Sequence, residues 1–482
     1  MRHLLVVLFS IPYLLFAQAI EGTMLGHWSD STLVGSFTYD NTYNEIWGIA
    51  RNGHEYAILG STAGTHVIDV TAPTRPQQAF FIPGQVSNGE IIHRDYHEYG
   101  DYLYAVADEG FSTLQILDLS QLPEQLPVVY DSDEYFRQAH NIFIDSTRAM
   151  LYCFATKGGP QQYSALRLYS LANPLRPQYV GQYNRFGNMS VGHVHDGFVR
   201  DGIAFLNCGN DGFALVDFTN PQQPVTLTTL SNYTQSGYNH SGWPSESCGY
   251  YYMSDENHNK DIKVVDLTND CEAEVVHTFD EGLSMTGTIA HNQVVACNYL
   301  YVSYYYNGLR VYDISDPTRP ELAMYYDTSS KPLRDSYEGA WGVYPFLPSG
   351  NILVSDMQEG LFVMAAMPGA CNSTAATPQT NCEDYCNLTS TTVDVLPTPS
   401  PMQVFPQPAS NTITLTFPAL PAQMTFSLDI LDMRGKVVAQ LGSHTFSTTQ
   451  AQTFSLPNLT KGLYLLRSSN AEYQQIQKLI IN

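Results

Sequence analysis

Histidine recurs in this chain at a corresponding place in successive repeats, and that recurrence is the clearest sign of chemistry in it. His93, His97, His140, His193, His195, His240 and His291 each stand upstream of one of seven anchor positions, 69, 118, 170, 217, 266, 313 and 365, spaced 47 to 52 residues apart. In the first repeat the same place holds Glu45 and Trp47, and in the last Glu338 and Trp341. Neutral imidazole is a ligand for zinc, copper, iron and nickel, and carboxylates can complete such a shell. The seven histidines are therefore the candidate metal ligands, with Asp95 and Asp196 nearby, and a divalent transition metal is the candidate cofactor. Glu45, Trp47, Trp243, Glu338 and Trp341 are the candidate ligand-binding residues. His193 and His195, two apart, face one way on a strand and form the best chelating pair; His240 beside Trp243 comes next. A structural reading stands next to this one. Repeats also repeat their structural residues, a strand histidine can bond a carbonyl of the next repeat, and a tryptophan can plug a channel.

The element that must position these residues is the repeat itself. Its phrase is Gly-x-x-(apolar)-x-Asp-(apolar)-x-x-Pro-x-x-Pro, clearest at 64–76 (GTHVIDVTAPTRP), 212–224 (GFALVDFTNPQQP) and 308–320 (GLRVYDISDPTRP). Weaker copies centre on Asp118, Ser170 and Asp266, and a seventh, GLFVMA at 360–365, lacks the acid. A fixed period of this size means one supersecondary unit used repeatedly. The sixth unit parses into strands at 289–297, 300–305, 309–314 and 321–326, with a turn at Asn307-Gly308. Four-stranded units without helices predict an all-β, seven-bladed β-propeller. The seventh unit has three strands, near 341–346, 351–355 and 361–365, and no fourth. The spare segment Leu33–Tyr39 is predicted to supply it, because an open sheet edge would leave backbone groups unpaired.

The anchor aspartates Asp69, Asp118, Asp217, Asp266 and Asp313 end an apolar strand and precede Ser, Thr or Asn. They read as Asx-turn residues accepting backbone N–H groups, not as calcium ligands. The acidic segment 255–261 lacks EF-hand spacing and reads as a solvated hairpin, and Tyr250–Tyr252 and Tyr304–Tyr306 read as packing between repeats.

A net charge of −24 argues against nucleic acid as a partner. Residues 1–19 read as a signal peptide ending in Ala17-Gln18-Ala19, and no later segment is apolar enough to span a membrane. Eight cysteines suit an oxidising compartment. Cys153 with Cys208, and Cys248 with Cys271, are two pairings among many. Residues 369–402, rich in Thr, Pro and Ser and carrying Cys371, Cys382 and Cys386, read as a linker. The expected order is signal peptide 1–19, propeller 30–368, linker 369–402 and a small C-terminal β-sandwich at 403–482.

NEIWGIA (44–50), NHSGW (239–243), LRVYDISDP (309–317) and GAWGVYPFLPSGNILVSD (339–356) make the first domain resemble the choice-of-anchor B family of LVIVD-repeat surface proteins. That resemblance implies a propeller and export, but no reaction. VFPQPASNTITLTF (404–417), LDILDMRGKVV (428–438), LTKGLYLLRSSN (459–470) and the terminal KLIIN make the last domain resemble a type A sorting domain of the type IX secretion system, with Gln407 where Asn is more usual. This implies a Bacteroidota-type source, secretion machinery as partner of residues 403–482, and a secreted or surface-attached product.

Two functions follow. One is a monomeric, non-enzymatic module binding an extracellular ligand. The other is a metal-dependent hydrolase or lyase built on the histidines. With no H-E-x-x-H, G-x-S-x-G or P-loop, no residue is assigned a catalytic role.

Overall fold

The repeated glycine has a steric task that explains how the strands assemble. At Gly64, Gly212, Gly308 and Gly360 an added Cβ would collide with a backbone carbonyl of the outermost strand of the same sheet, that of Ile82, Leu230, Tyr326 or Trp28. The last three glycines also hold positive φ, between +70° and +98°, a region open to glycine at little cost.

The computed structural model describes residues 19–159, 162–269, 271–283, 287–334, 336–369, 402–417, 423–431, 436–447, 451–457, 459–470 and 474–482. Residues 1–18 of the expected signal segment 1–19, and the linker cysteines, fall outside these. Contacts divide the chain into two units, residues 1–388 and 389–482.

In the first unit, six sheets contain four strands consecutive in sequence: Tyr43–Pro83, Arg94–Ser132, Asn141–Tyr183, Asp196–Leu230, Asn239–Phe279 and Gln293–Tyr326. A seventh holds Ala340–Tyr344, Ile352–Asp356 and Gly360–Met364, with Met24–Trp28 antiparallel on the last of these. The expected partner Leu33–Tyr39 instead forms turns and bends. It carries Gly35 and Ser36, and the Asp40 amide turns back on the Ser36 carbonyl at 3.1 Å. Ile20–Glu21 adds a fifth, parallel strand to the sixth sheet, so this unit starts before residue 30. The chain's beginning thus bridges its last two sheets.

Burial is deepest at the second strand of each sheet and falls toward the outermost. Second strands such as His54–Ser61 are buried almost throughout, while outermost strands such as Gln77–Pro83 are largely exposed. Strands covered on both faces need continuous apolar runs, and YAIL (56–59) and IAFL (203–206) supply them. The inner strands of successive sheets touch, and Ala340–Tyr344 touches both Gln293–Ala296 and Tyr43–Arg51. Every anchor aspartate accepts the amide two residues on, at 2.7 to 2.9 Å. Ser170 does the same with its hydroxyl, which is how that repeat dispenses with the acid.

Cys153 and Cys208 do not bridge: both are free, buried thiols. Cys153 packs toward the second sheet, with Ile142 and Tyr169, whereas Cys208 packs on the opposite face of the third sheet, with Tyr152 and Phe154. Alternation along the strand sends these two side chains to different interfaces. Cys248, Cys271 and Cys297 are disulfide-bonded.

The second unit pairs two sheets. One contains Gln403–Phe405, Thr412–Thr416 and Gln452–Ser455; the other Val437–Phe446, Met424–Leu431, Gly462–Ser469 and Gln474–Ile481. Ile413, Phe417, Phe426, Phe446, Leu466 and Leu479 form its core.

Candidate functional site

Six side chains that open successive inner strands meet in a closed circle. Ring centroids lie 4.8 Å apart for His93–His140, 4.1 Å for His140–His195, 4.0 Å for His195–His240, 4.4 Å for His240–His291, 4.7 Å for His291–Trp341 and 5.3 Å for Trp341–His93. The first sheet contributes Glu45, whose carboxylate accepts from Asn292 at 2.9 Å. These residues line a cavity of about 40 Å³ together with Asp95 and Glu256.

The circle is built by turning each Nδ1 outward. Nδ1 of His195 donates to the carbonyl of His240 at 3.0 Å, and Nδ1 of His291 to that of Trp341 at 2.5 Å. His240 leans on the His291 carbonyl in the same sense, outside hydrogen-bonding geometry. Nδ1 of His140 meets Asp108 at 2.9 Å, and Nδ1 of His93 meets Glu109 at 2.5 Å. A carbonyl can only accept, so the neutral imidazoles of His195 and His291 carry their proton on Nδ1 and leave Nε2 as a lone pair. Glu256 faces this side: its carboxylate oxygens lie 3.7 Å from Nε2 of His240 and 4.0 Å from Nε2 of His291, and it accepts from the Tyr305 hydroxyl at 2.5 Å.

Burial sets the charge state. It pushes His291 down to about 3, and it holds His195 and His240 well below the usual histidine range, helped by their imidazole neighbours. The same burial raises Glu256, Glu45 and Asp196 to about 7 and Asp95 well above its ordinary value, the last with a push from Glu45. His93 is raised: the Glu109 carboxylate outweighs the opposing effect of burial. Around His195, His240 and His291 the cavity thus gathers uncharged lone-pair donors, beside acids reluctant to ionise.

Several expected residues lie elsewhere. Trp47, His97 and Trp243 line a second cavity of about 370 Å³ with Phe143, Phe198 and Phe346. They sit two to four residues further along the inner strands. His97 stacks there between Trp47 and Phe143, at 4.5 and 4.7 Å, and burial lowers it to about 4. Glu338 bonds Tyr306 at 2.8 Å and Arg334 at 3.2 Å and does not line the histidine cavity. His193 precedes its strand, which begins at Asp196, so the expected strand alternation with His195 does not apply. Its ring lies 5.6 Å from those of His140 and His195 and 6.4 Å from that of Tyr238, next to the circle but outside the cavity lining.

Two further acids approach the circle, Glu256 and Asp108. Glu256 belongs to the segment expected as a solvated hairpin, but Asp255 is fully buried against Lys263 at 2.5 Å and Glu256 enters the site. A signal was present: Asp108 and Glu256 stand at equal distances before the anchors Asp118 and Asp266.

Residues 403–482 match the family model described as the secretion system C-terminal sorting domain, and residues 289–328 match the LVIVD repeat. No curated protein matches the chain. Among solved structures, that of the RRP9 WD40 repeats matches with a TM-score of 0.51 at 9% identity, covering 72% of this chain and 99% of that one. The periplasmic gluconolactonase PpgL of Pseudomonas aeruginosa matches with a TM-score of 0.47 at 11% identity, covering 86% and 99%. Likeness at such identities speaks to fold and not to activity. The chain is thus an all-β, propeller-like protein that carries an LVIVD repeat. Its sorting domain directs it through type IX secretion to the outer surface or the medium. Among the described residues no helix is long and apolar enough to cross a membrane.

Proposed function

We propose that residues 20–368 form one closed seven-bladed propeller, completed by Met24–Trp28, and that the exported protein is a monomeric binding module. Its ligand enters at the imidazole-lined end of the central channel. The observation that carries this reading is the unbroken circle of His93, His140, His195, His240, His291 and Trp341. Side chains from six successive sheets converge on one small cavity, and His93, His140, His195 and His291 spend Nδ1 on an outward partner and leave Nε2 for the cavity, an arrangement suited to holding a ligand rather than to filling space. Nothing in the cavity resembles an activated nucleophile: it contains no serine, cysteine or lysine. Function then resides in the site grafted on a rigid scaffold.

The test is a thermal-shift screen of the purified chain against short oligosaccharides, peptides and small carboxylates. At least one probe should raise the melting temperature, lose that effect in a His195→Ala/His240→Ala variant, and be recovered chemically unchanged. A stabilising probe that works equally well on the variant, or one that is converted, would overturn the reading.

A further inference from the structure

We infer that the cavity holds one divalent transition-metal ion, ligated by His195, His240 and Glu256. This rests on the reading of the cavity as the ligand site and names what occupies it. One imidazole nitrogen each of His195 and His240 and one carboxylate oxygen of Glu256 lie within 4.8 Å of one another. They are not joined by hydrogen bonds: the closest approach of Glu256 to His240 is 3.7 Å. A tetrahedral ion with bonds of about 2.0–2.1 Å separates its ligands by roughly 3.4 Å, so a modest closing movement brings all three onto one ion.

Two features of the surroundings match what ligating groups need. Metal-bound histidines normally donate their other N–H to a carbonyl or carboxylate, and ligating carboxylates are hydrogen-bonded in turn. His195 donates Nδ1–H to the His240 carbonyl, and Tyr305 donates to Glu256. The second feature is His240: its side chain is 3% exposed, yet its Nδ1 has no hydrogen-bond partner. A metal at Nε2 leaves Nδ1 as it is, but it gives this deeply buried ring a strong partner on its cavity side, where Glu256 stands 3.7 Å away. His291, whose Nε2 is 4.0 Å from Glu256, is placed to become a fourth ligand. Two or three imidazoles with one carboxylate select zinc, copper or nickel over magnesium and calcium, which favour all-oxygen shells.

The experiment uses the full chain, purified without a histidine tag, stripped with a chelator and titrated with zinc against a chromophoric competitor. Metal content is read by elemental analysis. The expected result is about one zinc per chain, undiminished by excess magnesium or calcium. Glu256→Gln, nearly isosteric, should weaken zinc binding by at least ~10-fold, and Tyr305→Phe by about 10-fold through loss of its hydrogen bond to the ligand. His97→Ala, at the other cavity, should bind zinc as the parent does. Melting temperatures of the metal-free variants separate loss of ligand from loss of fold. Zinc affinity unchanged in both Glu256→Gln and His195→Ala/His240→Ala, or no zinc retained by the parent, would overturn the assignment. If the parent takes no metal while a small probe still depends on His195 and His240, the metal is wrong and the binding site stands. If both responses are missing, the circle is structural.

Discussion

Asp255 and Glu256 are adjacent in the chain and face opposite fates. Asp255 turns into the sheet, where it meets Lys263 at 2.5 Å and accepts from the Tyr233 hydroxyl at 2.7 Å, with both charged groups fully buried. Glu256 turns to the cavity. Removing one member of a buried pair strands the other charge, so Lys263→Met should cost about 3–5 kcal/mol. The double change Asp255→Asn/Lys263→Met should recover much of that loss in a denaturant titration, because no charge is then left unpaired. Equal losses in the single and double variants would mean the pair is not coupled. At this scale the sequence was half legible. Histidines stand out by their rarity and their phase in the repeat. An acid in a run such as DENHNKD looks solvated, and only the strand ladder reveals which carboxylate points inward. The Trp47, His97 and Trp243 side chains were misplaced because counting back from an anchor does not distinguish the two ends of a short inner strand.

The strand elements were far more readable, since their signals are local. The predicted fourth strand 321–326 coincides with Glu321–Tyr326, and most others differ by a residue or two. The repeated glycine ties these elements together, because it lets the outermost strand reach its neighbour. Gly308→Ala would meet the Tyr326 carbonyl and hold a side chain at φ +70°. Such strain costs about 1–3 kcal/mol, so a clear drop in melting temperature is expected, whereas Gly53→Ala, with nothing within 4 Å, should lose only its φ penalty of about 1 kcal/mol. Comparable melting temperatures for the two variants would refute the steric role. The strand at the chain's beginning was harder to place. Leu33–Tyr39 has the β-rich pattern, but Met24–Trp28 has the partner. The pattern LVGSFTY mimics an outer strand while its glycine and serine favour a turn, and pairing across more than 300 residues leaves no local trace.

At the scale of the whole molecule, the candidate site belongs to no single repeat. Each sheet contributes one or two side chains, and the outward turn of each Nδ1 depends on a carbonyl or carboxylate that is often supplied by a neighbouring sheet. The circle therefore exists only when the sheets surround a common axis. The export signal is independent of this, being carried by residues 403–482, and its motifs were legible because they are contiguous. The most direct test of the account is the tautomeric state of the histidines, read by long-range proton–nitrogen NMR on the metal-free, nitrogen-15 histidine-labelled chain at neutral pH, with His→Gln variants for assignment. His195 and His291 should be neutral and protonated on Nδ1, the less common tautomer in water, leaving Nε2 as a bare lone pair facing the cavity. Signals from either residue showing a proton on Nε2, or a fully protonated ring, would contradict the inward-facing circle on which the proposed site depends.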